Sequence, residues 1–316
     1  MKPGFLLVLI SGLFLNGFSQ PAIHTSDVKH FWLAYDLVLA EKDSARRVSI
    51  IQQRYLDPGS QGLKDFATKR GWTADRFVQA IDAHPQFWQS VRPKTSKALQ
   101  QKRTIDGLFK KYQQLYPAFR KPDIYFLIGY LETGGTTTTN SVLLGTEIVA
   151  ADSTVDATGL VPLLQGFFRT NKGIAPLIAH EITHTQQKGG DMETDRPSNL
   201  LGFCIAEGAC EFIAELLTGK TLQHPYLQYG RMHEKELWKT FKLEMHGTST
   251  RNWLYNGGRK DVPVADLGYF IGYAICKSYY QQAANKRQAI ADIIELDLED
   301  QQALDGFLQQ SGYHPQ

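Results

Sequence analysis

Apolar residues three and four positions apart recur along most of this 316-residue chain, so its pattern is predominantly helical. In "DVKHFWLAYDLVLA" they fall at Val28, Phe31, Trp32, Tyr35 and Leu39, and the turn clusters "DPGSQG" and "KRGW" divide the rest of the first 120 residues into further helices. This predicts a helical N-terminal lobe over 20–120. The period then changes: "PDIYFLIGYLETGG" and "NSVLLGTEIVAAD" are short apolar runs bounded by Gly, Asn and Asp, which read as two strands joined by "ETGGTTTTN". Helical spacing returns over about 174–188, over about 200–218 and in a last group over 265–310, and the polar, Gly-rich stretch 245–265 reads as an irregular loop. The expected fold is α+β and mainly helical, with helical N-terminal and C-terminal parts and a small antiparallel or mixed sheet in a second lobe over 121–316.

Composition narrows the picture. Hydrophobic residues make up 42% and charged residues 21%, as in an ordinary globular protein, and 34 basic against 32 acidic side chains leave no field that would draw a nucleic acid or a membrane surface. The opening "MKPGFLLVLISGLFLNGFSQ" runs from one Lys through an apolar stretch at Phe5–Leu15 to Gly17 and Ser19, the layout of a secretory signal peptide over 1–19. A secreted or periplasmic protein, free of the membrane after cleavage, is expected. Cys204 and Cys210 stand six apart in an apparent helix, about 9 Å along its axis and too far for a disulfide, so they read as buried small hydrophobes.

The candidate chemistry begins at "LIAHEITHTQQ", where two histidines four apart enclose a glutamate. On a helix His180 and His184 lie about 40° apart and Glu181 within about 100° of His180, so all three can face one point. H-E-x-x-H at such a point supplies two zinc ligands and a general base. A catalytic zinc takes three protein ligands and leaves a position for water. "FCIAEGACEFIAELL" offers the third, because Glu207 and Glu211 project from one side of an otherwise apolar helix and would repel each other without a cation or a histidine between them. Glu207 is assigned to the metal and Glu211 to the free N–H of a ligand histidine; the spacing also permits the reverse.

These residues resemble the gluzincin metallopeptidases, in which a second helix donates a glutamate to the zinc of an H-E-x-x-H helix. "AEGACEFIAEL" is similar to the E-G-x-x-x-(F/Y) segment of gluzincin aminopeptidases, whose Glu before Gly binds zinc. Together "IYFLIGYLETGGT", "AHEITHTQQ", "AEGACEFIAELL" and "GYFIGYAICKSYY" resemble a bacterial family of predicted secreted zinc-dependent proteases related to gliding-motility lipoproteins. The 22 residues between His184 and Glu207 slightly exceed the spacing in the best-known gluzincins, and the exopeptidase signature of the aminopeptidases is absent.

The resemblance implies a secreted zinc peptidase acting on peptide or protein substrates, with Zn2+ as its cofactor and Glu181 as general base. It also implies a hydroxyl or imidazole donor for the oxyanion; Tyr269 and Tyr273 are the candidates, with His233 and His246 as rivals, whereas the histidines at 24, 30, 84, 224 and 314 read as surface or core residues. Such enzymes hold an extended peptide on an exposed strand edge, for which the strand around Ser141–Val149 is the expectation. The competing expectation is a metal-containing envelope accessory protein that binds partners without cleaving them.

Overall fold

The structure is a computed structural model that describes residues 22–171, 173–188, 197–259 and 261–315. The leader expected over 1–19 lies outside the described residues. A two-residue strand β1 (Ile23–His24) precedes six helices: α1 (Ser26–Ala40), α2 (Ser44–Ile51, continued by a π-helical turn over Gln52–Leu56), α3 (Gln61–Arg70), α4 (Ala74–Ala83), α5 (Pro85–Ala98) and α6 (Lys102–Leu115). Asp43 starts α2 by accepting the Arg46 N–H at 2.8 Å, and Gly71, at φ 60°, ends α3 in the left-handed conformation that suits glycine. On α1 the buried stripe is Val28, Phe31, Trp32, Tyr35 and Val38. Leu39, expected on that face, is 53% exposed, because in the last turn the covered residue is Val38, on the Phe31 side of the stripe.

The sheet is mixed and four-stranded, in the order β1, β2 (Asp123–Leu127), β4 (Ser141–Gly145), β3 (Gly135–Thr138). β1, β2 and β4 run parallel, with Ile124 opposite Val142, and β3 returns antiparallel to β4, with Thr136 opposite Leu143. Two expectations are corrected here. The supposed linker "ETGGTTTTN" contains β3, whose β-branched threonines suit a pleated strand better than a coil. The next apolar run stops being a strand at Gly145, and Thr146–Val149 form the short helix α7. In consequence the segment expected as a free edge, Ser141–Val149, holds an internal strand, and the edge strands are β1 and β3.

Beyond the sheet come α8 (Pro162–Thr170), α9 (Ala175–His184), α10 (Leu200–Thr218), α11 (Pro225–Met232), α12 (Glu234–Glu244), α13 (Leu267–Gln282), α14 (Lys286–Ile294) and α15 (Gln301–Ser311). The chain is thus α+β and mainly helical, with a contiguous apolar core that, among the described residues, runs from Val28 to Tyr313. α10 is its centre: Asn199 caps it by accepting the Gly202 N–H at 3.0 Å, and nearly every residue from Leu200 to Ala214 is buried. α13 crosses α10 at backbone contact, since a Cβ on Gly208 would stand 2.0 Å from Tyr273 N and one on Gly272 would stand 1.7 Å from Cys204 O. On its other side α10 meets α9, which the Tyr112 hydroxyl of α6 anchors through Thr183 Oγ1 at 3.1 Å.

Candidate metal centre

α9 opens with Pro176 in its first turn, where the missing N–H costs nothing, and from Ile178 to His184 every residue is buried. His180, Glu181 and His184 therefore enter the interior with 6–7% of their surface exposed, opposite Glu207 and Glu211 of α10 at 5% and 3%. Isolated charges at such depth are costly unless they are paired or hold a cation.

Three atoms converge between the two helices. His184 Nε2 is 3.2 Å from His180 Nε2 and 3.2 Å from Glu207 Oε2, and His180 Nε2 is 3.4 Å from the same oxygen. A tetrahedral zinc with bonds of ~2.0–2.1 Å has ligand-to-ligand edges of about 3.3–3.4 Å, so the triangle has the dimensions of one zinc face. The tautomers agree. Gln187 Nε2 donates to Ala206 O at 2.8 Å, which leaves its Oε1 as the acceptor for His184 Nδ1 at 2.9 Å, so the Nε2 of His184 presents a lone pair. His180 Nδ1 lies 3.0 Å from Glu211 Oε1, close to it but out of line for a straight N–H···O bond. Glu211 is thus the carboxylate brought beside His180 Nδ1. The residues fit a zinc ion.

The local fields reflect the same design. Burial raises the Glu181 carboxyl above its usual range, although both imidazoles oppose it. Burial pushes Glu207 upward too, but the charge and hydrogen bonds of His184 and His180 outweigh it and hold that carboxyl well below its usual range. His180 is displaced the other way: burial disfavours its charge, yet Glu207 and Glu211 raise it well above an ordinary imidazole. Without a metal, a proton on His180 is the cation that Glu207 and Glu211 favour.

Cys210, expected as a buried small hydrophobe, is buried, but its thiol lies within 4.8 Å of ligand atoms of both histidines, so His180, His184 and Cys210 also form a possible metal site. Glu207 Oε2 stands 3.2 and 3.4 Å from the two Nε2 atoms, and burial raises the Cys210 thiol well above its usual range, which favours its neutral form.

Other side chains complete the surroundings. Tyr255, from the loop before α13, donates its hydroxyl to Glu207 Oε1 at 2.7 Å, and Tyr226 of α11 donates to Glu211 Oε1 at 3.0 Å. His224, expected as an ordinary surface or core histidine, instead places Nε2 3.8 Å from Glu211 Oε2 and stacks between Phe167 and Tyr226. Gln187, Tyr226, His224 and Tyr255 carry no periodic signal in the sequence; only their place in an H-E-x-x-H helix end or a polar loop could have drawn attention to them.

The structure divides the proposed oxyanion donors. Tyr269 stacks on His180 with ring centroids 6.0 Å apart, and its hydroxyl has no hydrogen-bond partner among the described residues. Tyr273, one turn further along α13, points elsewhere: its hydroxyl donates to Glu215 at 2.8 Å and accepts from Lys277 at 2.7 Å. His233 stacks on Tyr229, and His246 lies 3.7 Å from Asp305, so neither joins the cluster. Strand β3 does reach it, since a Cβ on Gly135 would stand 2.7 Å from Glu181 Oε1.

Residues 158–300 match a family model described as "Predicted Zn-dependent protease (DUF2268)", a span that contains α9, α10 and α13 and with them every side chain of the cluster. The match supports a zinc-dependent protease family for this part of the chain. No curated protein and no solved structure matches the chain significantly.

Proposed function

We propose that the chain is a zinc-dependent peptidase of gluzincin type, exported through its N-terminal leader, that hydrolyses peptide bonds in peptide or protein substrates. The observation that carries this reading is the triangle of His180 Nε2, His184 Nε2 and Glu207 Oε2, with Glu181 beside it on the same helix. When bound there, zinc would polarise the scissile carbonyl and acidify water.

The chain's own residues supply the rest. Glu181 accepts the proton of the attacking water and returns it to the departing amine; burial, by raising its pKa, makes it a stronger base. Tyr269, kept protonated first by burial and then by the charge of Glu207, offers its unengaged hydroxyl to the developing oxyanion. The one-sided pairing of β3 lets an extended peptide add along its free edge, next to Glu181. Glu211 and Gln187 hold the two imidazoles in orientation.

The proximity of Cys210 favours a second reading. Four protein donors would close the coordination sphere and make the metal structural, as in a non-catalytic envelope accessory protein related to gliding-motility lipoproteins. Cobalt substitution separates the two, because thiolate ligation produces an intense near-ultraviolet charge-transfer band that His–His–Glu ligation lacks. For the peptidase itself, the protein is stripped with a chelator, reloaded with zinc and given a mixed peptide library read by mass spectrometry. Cleavage that disappears and returns with the metal is expected; cleavage indifferent to the chelator would refute the proposal.

A further inference from the structure

Tyr255 reaches the centre from outside both helices that carry the motif residues. Its hydroxyl donates to Glu207 Oε1 at 2.7 Å, whereas Glu207 Oε2 is the oxygen that faces the two imidazoles. The residue as a whole is 59% exposed, so the ring spans from the protein surface to a buried carboxylate. Its backbone sits at φ 56°, in the left-handed region, where a bulky aromatic is an outlier. Such a conformation persists only where the surroundings over-determine it, and it often marks a functional position.

Here the surroundings do so. Asn256 and Asp266 exchange bonds, each backbone N–H donating to the other's side-chain oxygen at 3.1 and 2.8 Å, and Asn256 Nδ2 also donates to Arg251 O at 3.3 Å. Gly268 N donates to Trp253 O at 2.7 Å, and Trp253 and Leu254 are buried immediately before Tyr255. Anchors on both sides therefore aim the phenol. On its outer side Tyr255 lines a depression of about 570 Å³ together with Thr248, Thr250, Arg251 and Arg259.

A carboxylate can offer one oxygen or both to a cation. With Oε1 committed to the Tyr255 hydroxyl, Glu207 is held from rotating and only Oε2 remains for a metal. We infer that Tyr255 is a positioning residue that fixes Glu207 as a one-oxygen ligand and couples occupancy of the metal centre to the seating of the loop over 248–259. The inference rests on the reading of His180, His184 and Glu207 as the metal centre. Coupling is reciprocal: whatever affinity Tyr255 adds for the metal, the metal returns as stability of the seated loop.

Tyr255→Phe keeps the ring and deletes the bond. Zinc affinity is measured by competition with a chromogenic chelator, and trypsin cleavage after the exposed Arg251 is followed with and without zinc. In the variant, zinc should bind ~10–100-fold more weakly, with the metal-free melting temperature unchanged. Zinc should slow cleavage after Arg251 in the wild type and fail to do so in the variant. Unchanged zinc affinity overturns the inference, and a lowered metal-free melting temperature beside it would make Tyr255 a packing residue. A wild-type protein that binds no zinc removes the centre itself, and the inference with it.

Discussion

Replacing Gly135 with alanine perturbs the centre at a single atom. The added Cβ would stand 2.7, 2.8 and 3.0 Å from Oε1, Cδ and Cγ of Glu181, whereas comfortable contact begins near ~3.5 Å. Because three consecutive atoms are too close, rotation of the carboxyl alone does not relieve the clash, and the side chain must retreat by about 0.8 Å. A displacement of ~1 Å at a catalytic group costs about 100-fold, so kcat should fall ~30–100-fold, or ~2–3 kcal/mol in the barrier. Neither the histidines nor Glu207 are among the three atoms nearest that Cβ, so zinc affinity should be kept. Gly134→Ala is the control, because its Cβ would meet the Ile148 and Leu177 side chains at 3.3 Å and Val149 at 3.6 Å, and these can give. The assay is kcat on a peptide found to be cleaved, beside a zinc titration. Full kcat in Gly135→Ala would show that Glu181 is not the base at the place described; loss of zinc would show that β3 supports the ligands instead.

Three further outcomes are expected. Glu207→Ala should not hold stoichiometric zinc, whereas Glu211→Ala should bind ~10–100-fold more weakly and refill at saturating metal; the opposite order in a zinc titration would exchange their roles. Burial raises the Glu147 carboxyl from 4.5 to about 7 despite the N–H groups of Gly129 and Leu131. The folded state thus favours the protonated form, and that stabilisation is complete below about pH 4.5 and is lost as pH rises through 7, by ~3 kcal/mol. Urea unfolding of Glu147→Gln against wild type should show this slope in the difference, and a pH-independent difference would count against it. Gly208→Ala should lower stability by ~3 kcal/mol, since its Cβ would meet Tyr273 N at 2.0 Å; an unchanged melting temperature would mean that α10 and α13 do not touch there.

The motif residues are legible in the sequence because helical period and burial chemistry coincide in them. Two histidines and a glutamate on one face of a helix, and two carboxylates in an apolar helix, are local patterns that a sequence displays directly. The second tyrosine shows the limit of such reasoning. Tyr269 and Tyr273 share a face of α13, but one turn separates them, so that Tyr269 stacks on His180 while Tyr273 reaches Glu215. β3 is concealed because a strand of four residues beside glycines resembles a linker until its partner β4 is known. Tyr255, Tyr226 and His224 come from segments whose approach to the centre depends on α11 and the loop over 245–265, and no period along the chain encodes that approach. The mixed sheet, by contrast, is foreshadowed by two apolar runs, although the edge strand beside Glu181 is the one that the sequence disguises as a loop.

Metal content and cleavage measured together in Glu181→Gln test the central claim most directly. The amide keeps the shape of the side chain and cannot accept a proton, and Glu181 stands outside the ligand triangle. Wild type and variant, each reloaded with zinc, are analysed for bound metal and for cleavage of the same peptide. The account predicts about one zinc per chain in both proteins and a loss of cleavage by several orders of magnitude in the variant. Equal cleavage by the two proteins, or a variant that no longer holds zinc, would contradict it.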